Sequence, residues 1–307
     1  MWNSGTALWR PAILLLATAV ACGEGGDPTG PDGDVPRGTV FLDVSYCRAG
    51  GVDLKIDLYF PDPSAPTRAP AALFLHGGGW VGGDKSESGW LPRIREPLLE
   101  RGYVVASANY RLAPSHRWPA QIEDAKCAIR FLRGESDTYG IDAGRIGVWG
   151  TSAGGHLAAL LATTDANAGF EGDGGHAGQS SRVQAVVDLY GPAELTDGEG
   201  WPQGQELVLE IVFGTSDLAS PVLVGASPTT HVTSDDPPFL ILHGERDRLV
   251  PLRQSELLLE ALGAAGVPAE LVVVENARHG LEPDGGEIRP TLEELVEKTV
   301  EFFEANL

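Results

Sequence analysis

Residues 150–154 have the sequence Gly-Thr-Ser-Ala-Gly, a G-x-S-x-G pattern, which is the strongest indication of the fold in this chain. An apolar run predicts a strand over residues 145–149, and an alanine- and leucine-rich run predicts a helix over residues 155–162. A serine in a tight turn between a strand and a helix forms a nucleophile elbow, which lifts the hydroxyl group to the top of a sheet. We therefore predict that Ser152 is a nucleophile. The alternative interpretation is a glycine- and serine-rich surface loop.

A second motif, the glycine loop HGGGW at residues 76–80, follows a predicted strand at residues 71–75. Glycine lets the backbone approach a substrate carbonyl oxygen, because no Cβ atom obstructs the approach. We predict an oxyanion hole made by the backbone N–H groups of Gly78, Gly79 and Ala153. A plain glycine turn between a strand and a helix is the alternative.

In folds that carry a nucleophile elbow, the catalytic carboxylate and then the catalytic histidine follow the serine along the chain. Candidates for both residues follow Ser152 in this order. The apolar run 238–244 is followed by Glu245 and Asp247, and the apolar run 270–275 is followed by His279. We favour Asp247 as the triad carboxylate, because Glu245 falls within the first tight turn. His279 is the predicted base. Five other histidines lack such a placement and are interpreted as structural or exposed: His116, His156, His176, His231 and His243.

These residue types divide the work of acyl transfer among them. Ser152 attacks an acyl carbonyl, and His279 takes the serine proton and later donates it to the leaving group. Asp247 holds His279 in one tautomer and stabilises its cation.

Five segments together resemble the α/β-hydrolase esterases, and more narrowly the hormone-sensitive-lipase-like esterases and the bacterial feruloyl and acetyl-xylan esterase-like group. The acid segment has the form H-G-x-x-D-x-x-V-P, which is more similar to the feruloyl esterase-like group. The segments are HGGGW (76–80), NYRLAP (109–114), GTSAGGHLA (150–158), HGERDRLVP (243–251) and ARHG (277–280).

The resemblance covers about residues 40–307 and implies an α/β-hydrolase fold. In that fold a mostly parallel central sheet carries helices on both faces and a small cap. Further apolar runs fit this architecture: residues 40–47 and 54–59 predict opening antiparallel strands, while residues 103–108 and 185–190 predict parallel strands. For Arg111 and Asp124 the resemblance implies packing and support of the glycine loop.

The resemblance also implies a carboxylic ester hydrolase, a serine esterase that acts on small or carbohydrate-linked esters with acetyl, feruloyl or short acyl groups. A serine amidase or peptidase would use the same triad, but such peptidases usually carry a gating domain ahead of the catalytic region, and we expect none here. A non-catalytic binding module is a third class. It is disfavoured because such modules usually lose the serine or the histidine.

The N-terminal residues 1–22 predict a signal peptide. Arg10 precedes an apolar stretch, residues 11–21, that is too short to cross a bilayer as a helix. Small residues before Cys22 resemble a bacterial lipoprotein signal, in which Cys22 is lipidated. Ordinary cleavage at the same place, giving a freely secreted protein, is the alternative. Both interpretations predict export, with the product either anchored to the cell envelope by its lipid or secreted.

The remaining chain divides into a linker and one domain. Residues 23–38, rich in Gly, Pro and Asp, predict a disordered linker, and residues 39–307 predict the catalytic domain. The net charge is −21, from 43 acidic and 22 basic residues, which disfavours nucleic acids and polyanionic substrates. No metal-binding or nucleotide-binding pattern occurs, so we expect no cofactor and no metal.

Two questions stay open at this level. Cys47 and Cys127 could form a disulfide in an exported protein, but nothing in the sequence brings them together. Segments 165–181 and 193–231 are expected to form the cap. Trp80 could flank the acyl or alcohol site, or it could brace the oxyanion loop.

Overall fold

The computed structural model describes residues 38–61 and 68–307. The predicted signal peptide, with Cys22, and the predicted linker up to residue 37 lie outside the described residues. Within this described part of the chain, no helix is long and apolar enough to cross a membrane.

Eight strands of the described residues form a single sheet with the spatial order β1-β2-β4-β3-β5-β6-β7-β8. The strands are β1 (Val40–Ala49), β2 (Val52–Tyr59), β3 (Ala69–Leu75), β4 (Val104–Ala108), β5 (Ile141–Thr151), β6 (Ala185–Leu189), β7 (Phe239–Gly244) and β8 (Ala269–Val274). The first two strands and the β2–β4 pair are antiparallel, whereas all pairs from β4 to β8 are parallel. The predicted strands are therefore confirmed, although β5 begins at Ile141 rather than at Arg145.

Helices cover both faces of the sheet. They are α1 (Trp90–Glu100), α2 (Ala120–Gly134), α3 (Ser136–Tyr139), α4 (Ala153–Thr163), α5 (Gln205–Phe213), α6 (Pro221–Ala226), α7 (Pro228–His231), α8 (Arg253–Ala265) and α9 (Leu292–Asn306), with short 3₁₀ helices at Ala166–Ala168 and His279–Leu281. A capping box formed by Thr291 and Glu294 starts α9.

The core has two layers because side chains of a strand alternate between the faces of a sheet. Leu73 packs into the layer under α2, α4 and α8, whereas its neighbour Phe74 packs into the layer under α1 and α9. The central strands β3, β6 and β7 are buried along their whole length, which explains why they appear in the sequence as continuous apolar runs.

A disulfide joins Cys47 of β1 to Cys127 of α2, with their Cα atoms 6.4 Å apart. It answers the question that the sequence left open. The bond ties the antiparallel edge of the sheet to a helix that packs on its face.

Parallel pairing brings the carboxyl ends of the strands to one edge of the sheet. Gly150 of β5 lies opposite Leu75 of β3 on one side and opposite Asp188 of β6 on the other. The loops that follow β3, β5, β7 and β8, which carry every predicted site residue, therefore start from the same edge.

Candidate active site

The turn after β5 forces Ser152 into a strained backbone conformation, with φ 54° and ψ −117°. The glycines on both sides of Ser152 are required because neighbouring backbone atoms approach them too closely for a Cβ atom. A Cβ atom on Gly150 would lie 2.2 Å from the carbonyl oxygen of Gly154, and one on Gly154 would lie 2.0 Å from the carbonyl oxygen of Leu75. The G-x-S-x-G pattern is therefore a steric requirement of this turn, and the surface-loop interpretation is wrong.

A chain of hydrogen bonds connects three of the predicted site residues. The Nε2 atom of His279 lies 3.0 Å from Ser152 Oγ, and its Nδ1 atom lies 2.6 Å from Asp247 Oδ2. An imidazole that donates from Nδ1 to the carboxylate presents an unprotonated Nε2 to the serine hydroxyl. These distances join residues that are 127 and 32 positions apart in the chain.

The carboxylate of Asp247 is buried, and its other oxygen is also bound. Oδ1 accepts hydrogen bonds from the backbone N–H groups of Leu249, at 2.8 Å, and Val250, at 3.0 Å. Burial alone would raise the pKa of Asp247, but its interactions with His243 and His279 outweigh burial and hold the pKa well below its usual range. Asp247 is therefore an anion at every pH at which the protein would work.

A second histidine, His243, contacts the same carboxylate. Its Nε2 lies 2.9 Å from the carbonyl oxygen of Val250 and 3.4 Å from Asp247 Oδ2, and its Nδ1 lies 2.7 Å from Ser255 Oγ. A carbonyl oxygen can only accept, so the proton is on Nε2 and Nδ1 accepts from Ser255. The interpretation of His243 as structural fits this burial, but no sequence pattern indicates its contact with Asp247.

Two aromatic residues hold the loop that carries His279. The ring of Tyr190 meets the imidazole edge-on, with centroids 4.8 Å apart, and Trp90 Nε1 donates to the carbonyl oxygen of Gly280 at 3.2 Å. Burial raises the pKa of Tyr190, so its phenol stays neutral. Sequence reasoning missed both residues, although the position of Tyr190 directly after β6 places it at the functional edge of the sheet.

The glycine loop lies directly against the nucleophile. A Cβ atom on Gly77 would lie 3.0 Å from the carbonyl oxygen of Thr151 and 3.5 Å from Ser152 Cβ. Gly78 and Gly79 have φ values of 111° and 60°, which glycine adopts without strain. Among the described residues, the N–H groups of Gly78, Gly79 and Ala153 donate to no other protein group.

Trp80 braces this loop from below. It is buried, and its Nε1 donates to His156 Nδ1 at 3.2 Å, while His156 Nε2 donates to the carbonyl oxygen of Ala226 at 2.8 Å. Burial lowers the pKa of His156 to about 4, so the ring is neutral. Of the two possibilities for Trp80, the structure supports the bracing one.

The NYRLAP segment supports the same loop, as the resemblance implied. Tyr110 stacks on the ring of His76 at 4.2 Å and donates its hydroxyl to the carbonyl oxygen of His76 at 2.8 Å. Arg111 forms an ion pair with Asp124 at 2.8 Å. None of these groups contacts Ser152, His279 or Asp247 among the described residues.

Glu245, the alternative carboxylate, points elsewhere. Its Oε2 accepts a hydrogen bond from the backbone N–H of Asn276 at 3.1 Å. The structure therefore brings Asp247, and not Glu245, to the imidazole of His279. Within residues 38–61 and 68–307, no group of three or more acidic, histidine or cysteine side chains could hold a metal ion.

The model of the BD-FAE family matches residues 56–262. The chain belongs to the BD-FAE family. The predicted resemblance to α/β-hydrolase esterases is confirmed by this match and by the relatives below.

Among curated relatives of this BD-FAE chain, Esterase LipC of Mycobacterium tuberculosis (strain ATCC 25618 / H37Rv) is 37% identical over 233 residues, covering 74% of this chain and 57% of LipC. The bovine arylacetamide deacetylase (Bos taurus) is 33% identical over 141 residues, covering 45% of this chain and 33% of the deacetylase. The chain spans about half the length of the first curated relatives that it matches. It covers 57% of LipC and 51% of the probable carboxylic ester hydrolase LipM of the same organism.

Solved structures cover the BD-FAE chain more completely. A truncated carbohydrate esterase from gut microbiota is 28% identical with a TM-score of 0.74, covering 90% of this chain and 98% of that one. The propionate-bound esterase Est2 of Thermogutta terrifontis is 32% identical with a TM-score of 0.68, covering 88% and 93% of the two chains.

Proposed function

We propose that this protein is a serine carboxylesterase that hydrolyses short-chain or carbohydrate-linked esters. Ser152 is the nucleophile, His279 the base and Asp247 the orienting carboxylate. The observation that carries the proposal is the chain of hydrogen bonds from Ser152 Oγ through His279 to Asp247, at 3.0 and 2.6 Å. Its support from outside the chain is the similarity to esterases along most of its length.

The proposed mechanism follows each proton from atom to atom. Ser152 Oγ attacks the ester carbonyl carbon while its proton moves to His279 Nε2. The Nδ1 proton stays with His279, and the anionic Asp247 stabilises the imidazolium. That Nε2 proton then passes to the leaving alcohol, and water repeats the sequence to release the acid from Ser152.

The tetrahedral intermediate needs donors for its oxyanion. The backbone N–H groups of Gly78, Gly79 and Ala153, which have no protein partner among the described residues, are the proposed donors. Gly77 of the same loop lies against Ser152, and Ala153 directly follows that serine. Each such donor typically contributes about 3 kcal/mol to the transition state. Their positions depend on Trp80, whose side chain fixes the end of the glycine loop.

The proposed substrates carry acetyl, feruloyl or short acyl groups. Similarity to two solved structures, a carbohydrate esterase and a propionate-bound esterase, supports short acyl groups and a carbohydrate portion. An amidase is the second candidate, since one relative is named arylacetamide deacetylase.

The test is hydrolysis of p-nitrophenyl esters from acetate to octanoate, with methyl ferulate and p-nitroacetanilide in parallel. We expect turnover of short esters that Ser152→Ala abolishes, while Ser180→Ala, at an exposed serine, leaves it unchanged. Thermal unfolding of both variants checks that the fold is retained. Equal ester hydrolysis by Ser152→Ala would refute the proposal, and turnover of the anilide alone would favour the amidase.

We also propose export of the protein with lipidation at Cys22, on the sequence pattern alone. Labelling with a radioactive fatty acid in a bacterial host tests it. Incorporation that Cys22→Ala removes is the expected result, and an unlabelled, freely secreted product would contradict it.

A further inference from the structure

A cleft of about 470 Å³ opens beside His279, between the loop after β7 and the loop after β8. Its lining includes Arg246, Arg248 and Arg278, the apolar side chain of Leu249, and His279 itself. We refer to it as the arginine cleft. Its volume is in the range of small-molecule sites, roughly 300 to 1,000 Å³.

The three guanidinium groups are not equally available. Arg246 donates to the carbonyl oxygen of Asp284 at 2.6 Å, and Arg278 is paired with Glu282. Arg248 is 86% exposed, and its ion pair among the described residues is a long one, 3.7 Å to Asp284 Oδ2. Most of its five N–H donors therefore face solvent or the cleft.

The charge of the lining differs from that of the whole chain. Three arginines face two carboxylates, Glu282 and Asp284, in a protein whose net charge is −21. A planar guanidinium group binds a carboxylate through two parallel hydrogen bonds, which a neutral group cannot reproduce. The lining thus suits one anionic group of the size of a carboxylate, while the acidity of the whole surface still disfavours polyanions.

The position of the cleft indicates which half of the ester it would meet. His279 must reach the leaving oxygen in order to donate its proton. A group that extends past His279 into the arginine cleft therefore belongs to the alcohol half of the substrate.

We propose that the arginine cleft binds the alcohol half of the ester and favours alcohols that carry a carboxylate, such as an acidic sugar or a hydroxybenzoate. This inference rests on the proposed esterase function. Arg248 is its principal contact and Arg278 its second. Leu249, which is 51% exposed, supplies an apolar wall for a ring.

The test compares two acetyl esters that differ only in charge, p-acetoxybenzoate and the neutral p-acetoxybenzamide. The measured quantity is the ratio of their kcat/KM values at one ionic strength. This ratio cancels any general effect of a variant on the acetyl-transfer machinery. Arg248→Gln is expected to lower the ratio about three- to fivefold, as for exposed ion pairs, and Arg248→Lys to restore part of it.

A charge change of the opposite sign sharpens the design. Asp284→Asn removes the carboxylate that competes for Arg248, so the ratio is expected to rise. Damage to the fold would not move the two variants in opposite directions. Arg93→Gln, at an exposed arginine of α1 outside the cleft, is the matched control and leaves the ratio as in the wild type.

The outcomes separate the two proposals. Hydrolysis of both esters, with a ratio that Arg248→Gln leaves unchanged or raises, overturns the arginine cleft alone. Absence of any Ser152-dependent hydrolysis of the neutral ester overturns the esterase function and this inference with it.

Discussion

His243 and His279 both contact the carboxylate of Asp247, and they differ in exposure and in what their second nitrogen meets. The side chain of His279 is 22% exposed and its free nitrogen faces Ser152 at 3.0 Å. His243 is fully buried, and Ser255 and the carbonyl oxygen of Val250 occupy both of its nitrogens.

The difference shows that a carboxylate partner does not make a histidine a base. Both rings have that partner, and only His279 also has a nitrogen open to a substrate. His243 uses its hydrogen bonds to fix the loop on which Asp247 lies, since Val250 both accepts from His243 and donates to Asp247. One ring is placed to move a proton and the other to hold the geometry.

The largest effect on activity is expected from replacing His279. His279→Ala removes the proposed base, and we expect kcat to fall by about 10⁴-fold or more while the fold persists. Ester hydrolysis at saturating substrate measures it, with circular dichroism as the check on folding. Residual activity within tenfold of the wild type would contradict the role of His279.

Replacing His243 should affect activity far less and stability more. His243→Phe leaves the Ser255 hydroxyl and the Val250 carbonyl without their partner, which costs roughly 1–3 kcal/mol of unfolding free energy for each unpaired group. Displacement of Asp247 would lower kcat by up to about 100-fold.

Urea unfolding and steady-state kinetics measure the two effects of the His243 variant. His243→Gln, which offers a donor in place of Nε2, is the matched control and should recover part of both. A loss of kcat as large as that of His279→Ala would show that His243 takes part in proton transfer.

His156 extends the comparison to a buried imidazole that has no carboxylate partner within the described part of the chain. Its pKa is about 4 in the folded protein and about 6.5 when unfolded, so the unfolded state binds the extra proton between these values. Above pH 6.5 the His156 ring is neutral in both states, and its contribution to the free energy of unfolding is complete. As the pH falls from 6.5 towards 4, the free energy of unfolding decreases by about 3 kcal/mol.

Unfolding free energies measured from pH 7 to pH 4 test the His156 prediction. The His156→Gln variant should show a shallower decline than the wild type, even where its stability at pH 7 is lower. Identical slopes in the two proteins would contradict the assignment.

The smallest effect is expected at Glu245, the carboxylate that the sequence offered as an alternative. Glu245→Gln changes a half-exposed side chain whose contacts, among the described residues, are with the backbone of Asn276 and, at 3.9 Å, with Arg246. Its effect on the transition state should stay within roughly 0.5 kcal/mol, as for most surface substitutions. A large loss of kcat/KM would favour Glu245 over Asp247.

The sequence predicted the parts of the site that depend on local geometry. Gly150 and Gly154 are required because a Cβ atom would strike the backbone, and such a requirement is visible in a five-residue pattern. His279 and Asp247 follow parallel strands, so their chain order and strand ends were sufficient to bring them to one edge of the sheet.

Contacts between distant elements could not be predicted in the same way. The approach of Cys47 to Cys127, of Tyr190 to His279 and of Trp80 to His156 depends on how helices and loops pack over the sheet. The local sequence around each of these residues does not indicate which residue it will contact. The arginine cleft is likewise invisible until the loops after β7 and β8 face each other.

The disulfide has a consequence for making the protein. It holds β1, an edge strand whose unpaired backbone groups could otherwise pair with another chain. It closes a loop of 80 residues and so lowers the conformational entropy of the unfolded chain, which stabilises the folded state by about 4 kcal/mol. In a reducing cytosol Cys47 and Cys127 remain free thiols and form no disulfide. We therefore expect the edge strand to be less stably held and the protein to aggregate more there. An expression host that folds the chain in an oxidising compartment is therefore the one to choose.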